Sequence, residues 1–161
     1  MSVYTVRTER PEADGTLAWD ATTVVVVEPV AGGQQGLGFT YATMACAPLI
    51  SDVLGAAVVG WDALDVVGAW SAMVDAIRNV GRPGVASMAI AAVDTALWDL
   101  KAKLLGVPLA KLLGMVRTEV PVYGSGGFTS ATTDELTAQL AGWVGDDGIP
   151  RVKMKVGTDR G

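Results

Sequence analysis

The sequence contains no histidine and one cysteine among its 161 residues. Without an imidazole, the chain by itself cannot form a Ser-His pair, a histidine base or a zinc site built on histidine. The single cysteine, Cys46, excludes an intrachain disulfide and is typical of a protein from a reducing cytoplasm. Because it lies in an Ala-rich helical stretch, we interpret Cys46 as a small core residue.

Charge is also scarce. Charged residues make up 18% of the chain, hydrophobic residues make up 50%, and the formal net charge is −5. A negative chain without a Lys/Arg cluster argues against nucleic-acid binding. The run Val24–Val27 is too short to span a membrane, and Arg7, Glu9 and Arg10 interrupt any early apolar run, so we expect no membrane segment or signal peptide. The high apolar fraction favours a homo-oligomer.

The first part of the chain has the pattern of a small antiparallel sheet. Val3–Thr8 and Thr22–Glu28 are rich in β-branched residues, Gly38–Ala42 predicts a third strand, and residues 31–36 form a turn. These segments predict a β-meander. Between the first two strands, the polar stretch from Pro11 to Asp20 predicts a long loop, and a loop of that length is often functional.

Helical periodicity follows from about residue 45 to residue 113. One predicted helix carries Leu64, Val67, Trp70, Val74 and Ile77, and a second carries Val85, Met88, Ala92, Val93, Ala96 and Leu100. Gly106 ends the second helix, and Pro108 can begin a short third one. Residues 1–115 therefore predict an α+β domain, in which a three-stranded antiparallel meander is followed by helices.

After residue 115 the pattern changes to strand, helix and strand. Val120–Tyr123 predicts a strand, Asp134–Val144 an amphipathic helix, and Arg151–Gly157 a second strand. Such a unit implies parallel strands, and a parallel sheet has several members with both faces covered. Residues 116–161 are far fewer than the roughly 250 of a complete (β/α)₈ barrel. We therefore expect the sequence to be cut short within its second domain.

Two lysines, Lys153 and Lys155, lie on one face of the last predicted strand, about 6–7 Å apart along it. Val152, Met154 and Val156 occupy the other face, which we expect to pack on helices. Each ammonium group disfavours the charge of the other, so one lysine could be held neutral and act as a base. The alternative is an edge strand with solvated lysines, which protects against aggregation.

A glycine-containing loop follows the first strand of this second region. Residues 124–126, Gly-Ser-Gly, resemble the start of a dinucleotide-binding fingerprint, but Thr129 stands where the third glycine is needed. Ser125 has no nearby base that would make it a nucleophile. We interpret it as a turn serine or as a hydrogen-bond partner of a substrate.

Two acidic residues of the second long helix, Asp94 and Asp99, lie about 140° apart around its axis. They do not converge on a metal, and we interpret them as polar groups that make hydrogen bonds at a helix interface. Trp19 falls within the predicted polar loop, where both substrate contact and lid packing would explain an aromatic residue.

The run from Ala89 to Gly114, AIAAVDTALWDLKAKLLGVPLAKLLG, resembles the signature of the mandelate racemase/muconate lactonizing enzyme family of the enolase superfamily. The positions that carry the resemblance are Asp94, Ala96, Asp99, Lys103, Pro108, Leu112, Leu113 and Gly114. The Val120–Tyr123 strand and the Lys153-x-Lys155 strand also resemble that family, in the same order along the chain.

The resemblance implies a capping domain, residues 1–115, followed by the first β-α-β of a modified TIM barrel, residues 116–161. It implies Mg²⁺ and abstraction of a proton alpha to a carboxylate, in a dehydratase or a racemase/epimerase of a hydroxy acid or sugar acid. By the same resemblance, Lys155 would be the base. Lys153 would favour its neutral form and assist at the substrate carboxylate.

Three further site residues rest on position within the family pattern. The stretch Pro11–Asp20 matches the family's mobile cap loop, which makes Trp19 a candidate substrate contact. Tyr41, near the second cap segment, and Ser125, at the end of the first barrel strand, are the other two candidates.

The family's acidic metal ligands and its second catalyst come from later barrel strands. The resemblance therefore implies no metal ligands in this chain, which alone should neither bind Mg²⁺ nor turn over substrate. A muconate-type cycloisomerase is the alternative within the enzyme class. A His-Asp pair in the later sequence would favour the dehydratase or racemase, and a lysine on the sixth strand would favour the cycloisomerase. An alternative of another class is a non-catalytic cap fragment that serves assembly through its helices.

Overall fold

In the computed structural model, which describes residues 1–157, the chain divides into two compact units. One contains residues 1–6 and 22–116, and the other contains residues 7–21 and the chain from 117 onward. The predicted second domain includes residues 158–161, which lie outside the described residues. The long strands β1 and β2 cross from one unit into the other.

Five strands precede the first helix. They are β1 (Ser2–Ala13), β2 (Ala18–Val27), β3 (Val30–Ala31), β4 (Gln34–Gln35) and β5 (Gly38–Ala42). The order β1-β2-β5 forms a three-stranded sheet, and β3 and β4 form a small antiparallel hairpin between its second and third strands. β2 and β5 are antiparallel, with Val25 opposite Thr40. This topology confirms the predicted meander.

The predicted long loop from Pro11 to Asp20 is wrong. β1 and β2 extend into this stretch and leave only residues 14–17 as the turn. Cross-strand contacts between polar side chains stabilise the extension: the Trp19 indole donates to Glu12 at 3.0 Å, and Arg7 pairs with Asp20 at 3.4 Å. The polarity of the segment reflects its exposed strands, and Trp19 lies on β2 instead of in a loop.

The larger unit contains five α-helices. They are α1 (Cys46–Pro48), α2 (Gly55–Val58), α3 (Val66–Ala76), α4 (Val85–Leu104) and α5 (Leu109–Leu112), with a π-helical segment, Leu49–Leu54, that joins α1 to α2. Asp65 caps α3 by accepting a hydrogen bond from the Gly68 amide at 2.9 Å. Gly106 follows α4 at a φ of 66°, a left-handed conformation that suits glycine and ends the helix as predicted.

The core of this unit lies between the helices and the inner face of the sheet. Val25, Cys46, Leu54, Met73 and Ala96 are completely buried. Cys46 is thus a core residue, as predicted, and burial raises the pKa of its thiol.

Two glycines allow the strand β5 and the turn before it to lie directly on α4. A Cβ added at Gly38 would meet the Ala92 carbonyl and approach the Ala96 amide nitrogen to 2.5 Å. A Cβ added at Gly36 would meet the Ala96 carbonyl in the same way. Between them, the Leu37 amide donates to Asp99 Oδ2 at 2.8 Å. This contact confirms the interface role predicted for Asp99.

The second unit contains β6 (Gly124–Ser125), α6 (Thr133–Gly145) and β7 (Val152–Lys153). β6 and β7 are parallel, with Ser125 opposite Lys153. A capping box begins α6: Thr132 accepts from the Glu135 amide, and the Glu135 side chain accepts from the Thr132 amide. No helix among residues 1–157 has the length and apolarity needed to cross a membrane.

The first strand of this unit begins later than predicted. The sequence pattern placed it at Val120–Tyr123, whereas pairing starts at Gly124, whose amide donates to the Arg151 carbonyl at 2.9 Å. Pro121 has no amide hydrogen to donate within a ladder, which disfavours the earlier position. Gly124 also has no side chain, so Trp143 of α6 packs directly over the strand.

We expect Gly38→Ala to lower the free energy of unfolding by about 3 kcal/mol, because the added methyl group meets the backbone of α4, which cannot move aside. Urea unfolding followed by circular dichroism measures this change. Gly145→Ala is the matched control, since a Cβ there meets no heavy atom within 4 Å. Equal stabilities of the two variants would contradict the close packing of β5 on α4.

Asp99 should make stability depend on pH. A hydrogen bond from Lys103, and then one from the Leu37 amide, hold the pKa of Asp99 below its usual range. Its stabilising effect is therefore present above the unfolded pKa of about 4 and is lost as the pH falls through the folded value. Asp99→Asn should lose less stability than wild type between about pH 5 and pH 3.

The measurement is urea unfolding at a series of pH values. The control is Asp75→Asn, which changes an exposed carboxylate of α3. If the free energy of unfolding of Asp99→Asn depends on pH in the same way as that of wild type and of Asp75→Asn, the carboxylate of Asp99 does not cause the loss of stability at low pH.

Candidate active site

The candidate site lies in the smaller unit, around the segments that follow β6 and β7. Because these strands are parallel, their carboxyl ends lie at the same edge. In α/β structures this edge is where ligands bind. The loop after β6 is residues 126–130, and the segment after β7 is residues 154–157.

Gly127 ties the loop after β6 to its neighbours. Its carbonyl accepts from the Lys155 amide at 2.7 Å, and its amide donates to Gln139 Oε1 of α6 at 2.9 Å. Its φ of 58° is left-handed, and an added Cβ would approach Met154 Cβ to 2.6 Å. These contacts fix the backbone of Lys155 relative to the end of β6.

The lysine pair follows an alternating pattern of exposure. Lys153 and Lys155 are partly buried, whereas Val152, Met154 and Val156 are 38%, 49% and 74% exposed. This alternation is that of an extended chain with both lysines on one side. The apolar side is not covered as the sequence led us to expect, because Met154 and Val156 remain exposed.

Each lysine has a different set of neighbours. The Lys153 ammonium lies 5.7 Å from the ring centroid of Tyr123, a cation–π distance. The positive charge of Lys155 acts on Asp14, in the turn between β1 and β2. Ser125, opposite Lys153 in the parallel pair, is exposed.

The turn between β1 and β2 contacts the loop after β6. The Thr129 amide donates to the Ala13 carbonyl at 2.9 Å, and the Thr129 hydroxyl donates to the Asp14 carbonyl at 3.2 Å. Beside these bonds, the Trp19 ring meets the Phe128 ring edge-on with centroids 5.6 Å apart. Trp19 is half-buried by this contact.

Asp14 organises the turn itself. Its Oδ1 accepts from the Thr16 amide at 2.7 Å, the Thr16 hydroxyl at 2.9 Å and the Leu17 amide at 2.9 Å. The Thr16 and Leu17 amides, and then the Thr16 hydroxyl, lower the pKa of Asp14, and the charge of Lys155 adds to the effect. The turn therefore presents a carboxylate near the lysine pair.

A polar cavity of about 260 Å³ lies beside Phe128. Its lining includes Glu12, Glu135 and Gln139, and Arg10, which forms an ion pair with Glu135. The Thr132 amide, and then Arg10, hold the pKa of Glu135 below its usual range.

The sequence analysis missed the residues that join these segments. Asp14, Thr129 and Gln139 were not predicted as site residues. An Asp-Gly pair within the polar stretch is a turn signal that could have identified Asp14. Contacts between residues more than one hundred positions apart, such as Asp14 and Thr129, leave no local signal in one sequence.

The remaining candidate, Tyr41, belongs to the larger unit. It lies on β5 and is 75% exposed. Its predicted role in substrate contact therefore rests on its position in the family pattern alone.

A metal site cannot be assigned among the described residues. Within residues 1–157, no three His, Cys, Asp or Glu side chains converge closely enough to hold a metal ion. What these residues can supply is a pair of amines, a serine hydroxyl and a nearby carboxylate. That set can position an anionic substrate and move a proton.

Residues 2–114 match the family model described as mandelate racemase / muconate lactonizing enzyme, N-terminal domain. Among curated proteins, L-talarate/galactarate dehydratase of Salmonella typhimurium is 37% identical over 129 residues, which cover 78% of this chain and 32% of that protein. The 3,6-anhydro-alpha-L-galactonate cycloisomerase of Streptomyces coelicolor is 36% identical over 129 residues, or 78% of this chain and 36% of that protein.

Solved structures of the same family are also similar to this chain. A mandelate racemase/muconate lactonizing enzyme-like protein from Rubrobacter xylanophilus is 54% identical, with a TM-score of 0.95 over 99% of this chain and 44% of that one. The Salmonella typhimurium dehydratase, liganded with Mg and L-lyxarohydroxamate, has a TM-score of 0.84 at 29% identity over 99% of this chain and 43% of that one.

The chain spans about a third of the length of these curated relatives and less than half of these solved structures. The family model nevertheless matches well over half of the chain itself. The resemblance inferred from the signature Ala89–Gly114 is therefore confirmed, and the chain belongs to the mandelate racemase/muconate lactonizing enzyme family.

Proposed function

We propose that this chain is the N-terminal part of an enolase-superfamily enzyme that removes a proton alpha to a carboxylate. The substrate is a hydroxy acid or sugar acid, and the reaction is dehydration or racemisation/epimerisation. One observation carries the proposal: Lys153 and Lys155 share one side of the chain at the carboxyl end of a parallel strand. The curated dehydratase to which the chain is similar supports the substrate class.

In this proposal Lys155 is the base. Its backbone is held by the Gly127 carbonyl, so the amine projects from a fixed point at the strand end. Lys153 lies two residues earlier on the same side, where its positive charge attracts the substrate carboxylate. The base takes the alpha proton, and the electron pair of the broken C–H bond moves toward the carboxylate.

We propose Mg²⁺ as the cofactor of the whole enzyme. Bound Mg²⁺ would stabilise the negative charge that develops on the substrate carboxylate. The dehydratase structure with Mg supports this cofactor. Since residues 1–157 offer no converging ligands, we infer that the ligands lie beyond the described residues.

We also propose that β6, α6 and β7 are the first β-α-β of a modified TIM barrel, with residues 1–115 as the capping domain and 116–161 as the barrel start. The parallel pairing of β6 with β7 supports this assignment. Ser125, Trp19 and Tyr41 are proposed substrate contacts. Phe128 and Glu12 already hold the Trp19 side chain in place beside the strand ends.

A muconate-type cycloisomerase is the alternative reaction. The similarity to the Streptomyces coelicolor cycloisomerase favours it. The residues downstream of this chain discriminate the two: a His-Asp pair supports racemisation or dehydration, and a lysine on the sixth barrel strand supports cycloisomerisation.

A non-catalytic cap fragment that serves assembly is the alternative of another class, and exposed apolar side chains such as Val59 and Val67 favour it. Size-exclusion chromatography of the chain tests for such assembly.

For the enzyme we propose a homo-oligomer in the cytoplasm, without nucleic-acid or membrane partners. The apolar surface supports the oligomer, and the buried, unpaired Cys46 supports the compartment.

Lys155→Ala in the full-length protein should reduce exchange of the substrate alpha proton with solvent deuterium by at least about 100-fold, because the proton acceptor is removed. Proton NMR of a sugar-acid substrate in deuterium oxide measures the exchange. Lys111→Ala is the matched control, since Lys111 is an exposed lysine of α5. Undiminished exchange in the Lys155 variant, on both faces of the substrate, would remove Lys155 from the mechanism.

The 161-residue chain alone should bind Mg²⁺ no more tightly than an ordinary acidic surface, because its described carboxylates do not converge. Isothermal titration calorimetry with MgCl₂ measures the affinity, and the full-length protein is the comparison. A tight, saturable site in the 161-residue chain would show that the metal ligands have been misassigned.

A further inference from the structure

Gly15, in the turn between β1 and β2, approaches the chain that follows β7. A Cβ added at Gly15 would meet the Gly157 carbonyl oxygen and come within 2.8 Å of the Val156 carbonyl oxygen. Both obstacles are backbone atoms, so no side-chain rotation can make room. The turn can lie in this position only if residue 15 has no side chain.

The backbone conformation of Gly15 is not the reason for glycine here. Its φ lies outside the left-handed region, in contrast to Gly127 and Gly148 of the same unit. Its φ by itself therefore does not exclude a larger residue. What excludes it is the space between the turn and the carboxyl end of β7.

Thr129 makes the corresponding contact at the end of β6. Its amide donates to Ala13 and its hydroxyl donates to Asp14, in both cases to a backbone carbonyl. The turn is thus met at two places, at residue 129 and at residues 156–157, which follow the two parallel strands. The turn is hydrogen-bonded to the loop after β6 and packs closely against the segment after β7.

We propose that Gly15 and Thr129 are positioning residues, which together hold the turn of residues 14–17 against the carboxyl ends of β6 and β7. Thr129 supplies the hydrogen bonds, and Gly15 supplies the space. The turn so held keeps Asp14 near Lys155. Its kinetic consequence rests on the proposed function, whereas the attachment itself does not.

The attachment is tested by hydrogen–deuterium exchange of the full-length protein without substrate, read by mass spectrometry in a peptide that contains Thr129. In the wild type the Thr129 amide is bonded to Ala13 and should exchange slowly. Gly15→Ala should speed its exchange by at least about tenfold, because the turn can no longer approach. Gly145→Ala is the control, because a Cβ at residue 145 has open space, and it should leave the exchange rate of the Thr129 amide unchanged.

A second pair of variants tests Thr129 without adding bulk. Thr129→Val removes the hydroxyl and keeps the shape, whereas Thr129→Ser keeps the hydroxyl. Thr129→Val should speed exchange in the same peptide by about threefold, and Thr129→Ser should restore the wild-type rate. This pair decides the proposal even if Gly15→Ala fails to fold. Wild-type exchange in Thr129→Val, or in a folded Gly15→Ala, would overturn it.

Steady-state kinetics of the full-length enzyme give the functional readout. Gly15→Ala should raise KM for a sugar acid by about tenfold or more and change kcat by less than about threefold, because the turn is displaced from the strand ends and the base remains. If Gly15 only stabilised the fold, Gly15→Ala would lower the fraction of enzyme molecules that are active and would leave KM unchanged. If no sugar acid is turned over, the proposed function fails, and the exchange experiment still decides the attachment.

Discussion

The close approach of β5 to α4 is the contact on which the larger unit depends. Gly36 and Gly38 remove the side chains that would separate strand from helix, and Asp99 then binds the Leu37 amide between them. Lys103 completes this junction by pairing with Asp99 at 2.7 Å and donating to the Gln35 carbonyl at 2.8 Å. Two of the residues that carry the family signature thus act structurally, since they bind the strand and the turn before it to the longest helix.

The smaller unit is built from two stretches that are far apart in sequence, residues 7–21 and the chain from 117 onward. Backbone contacts join them at Thr129 and Gly15, and the rings of Trp19 and Phe128 pack beside these contacts. Hydrogen bonds between main-chain groups and close backbone approaches have strict distance requirements. They therefore fix the turn with respect to the strand ends more narrowly than side-chain packing alone would.

The candidate site follows from this arrangement. Side-chain exposure alternates along β7 and the segment after it, which brings two lysines to one side, and the loop after β6 holds the backbone of Lys155. The turn adds Asp14, whose carboxylate is held in its charged form mainly by the backbone amides of Thr16 and Leu17. A base for proton abstraction needs such fixed placement, because proton transfer requires hydrogen-bond distances between donor and acceptor.

The sequence by itself determined the meander, the two long helices, the buried Cys46 and the family, because each depends on local periodicity or on a contiguous signature such as residues 89–114. It also determined the spacing of Lys153 and Lys155, but the predicted strand Arg151–Gly157 is shorter in the structure, where β7 ends at Lys153 and Lys155 lies in the segment after it. Only the tertiary structure decided that residues 11–20 extend β1 and β2, that pairing begins at Gly124, and that the turn at Gly15 meets the chain after β7. These features depend on contacts between distant segments, whose partners a single sequence does not specify.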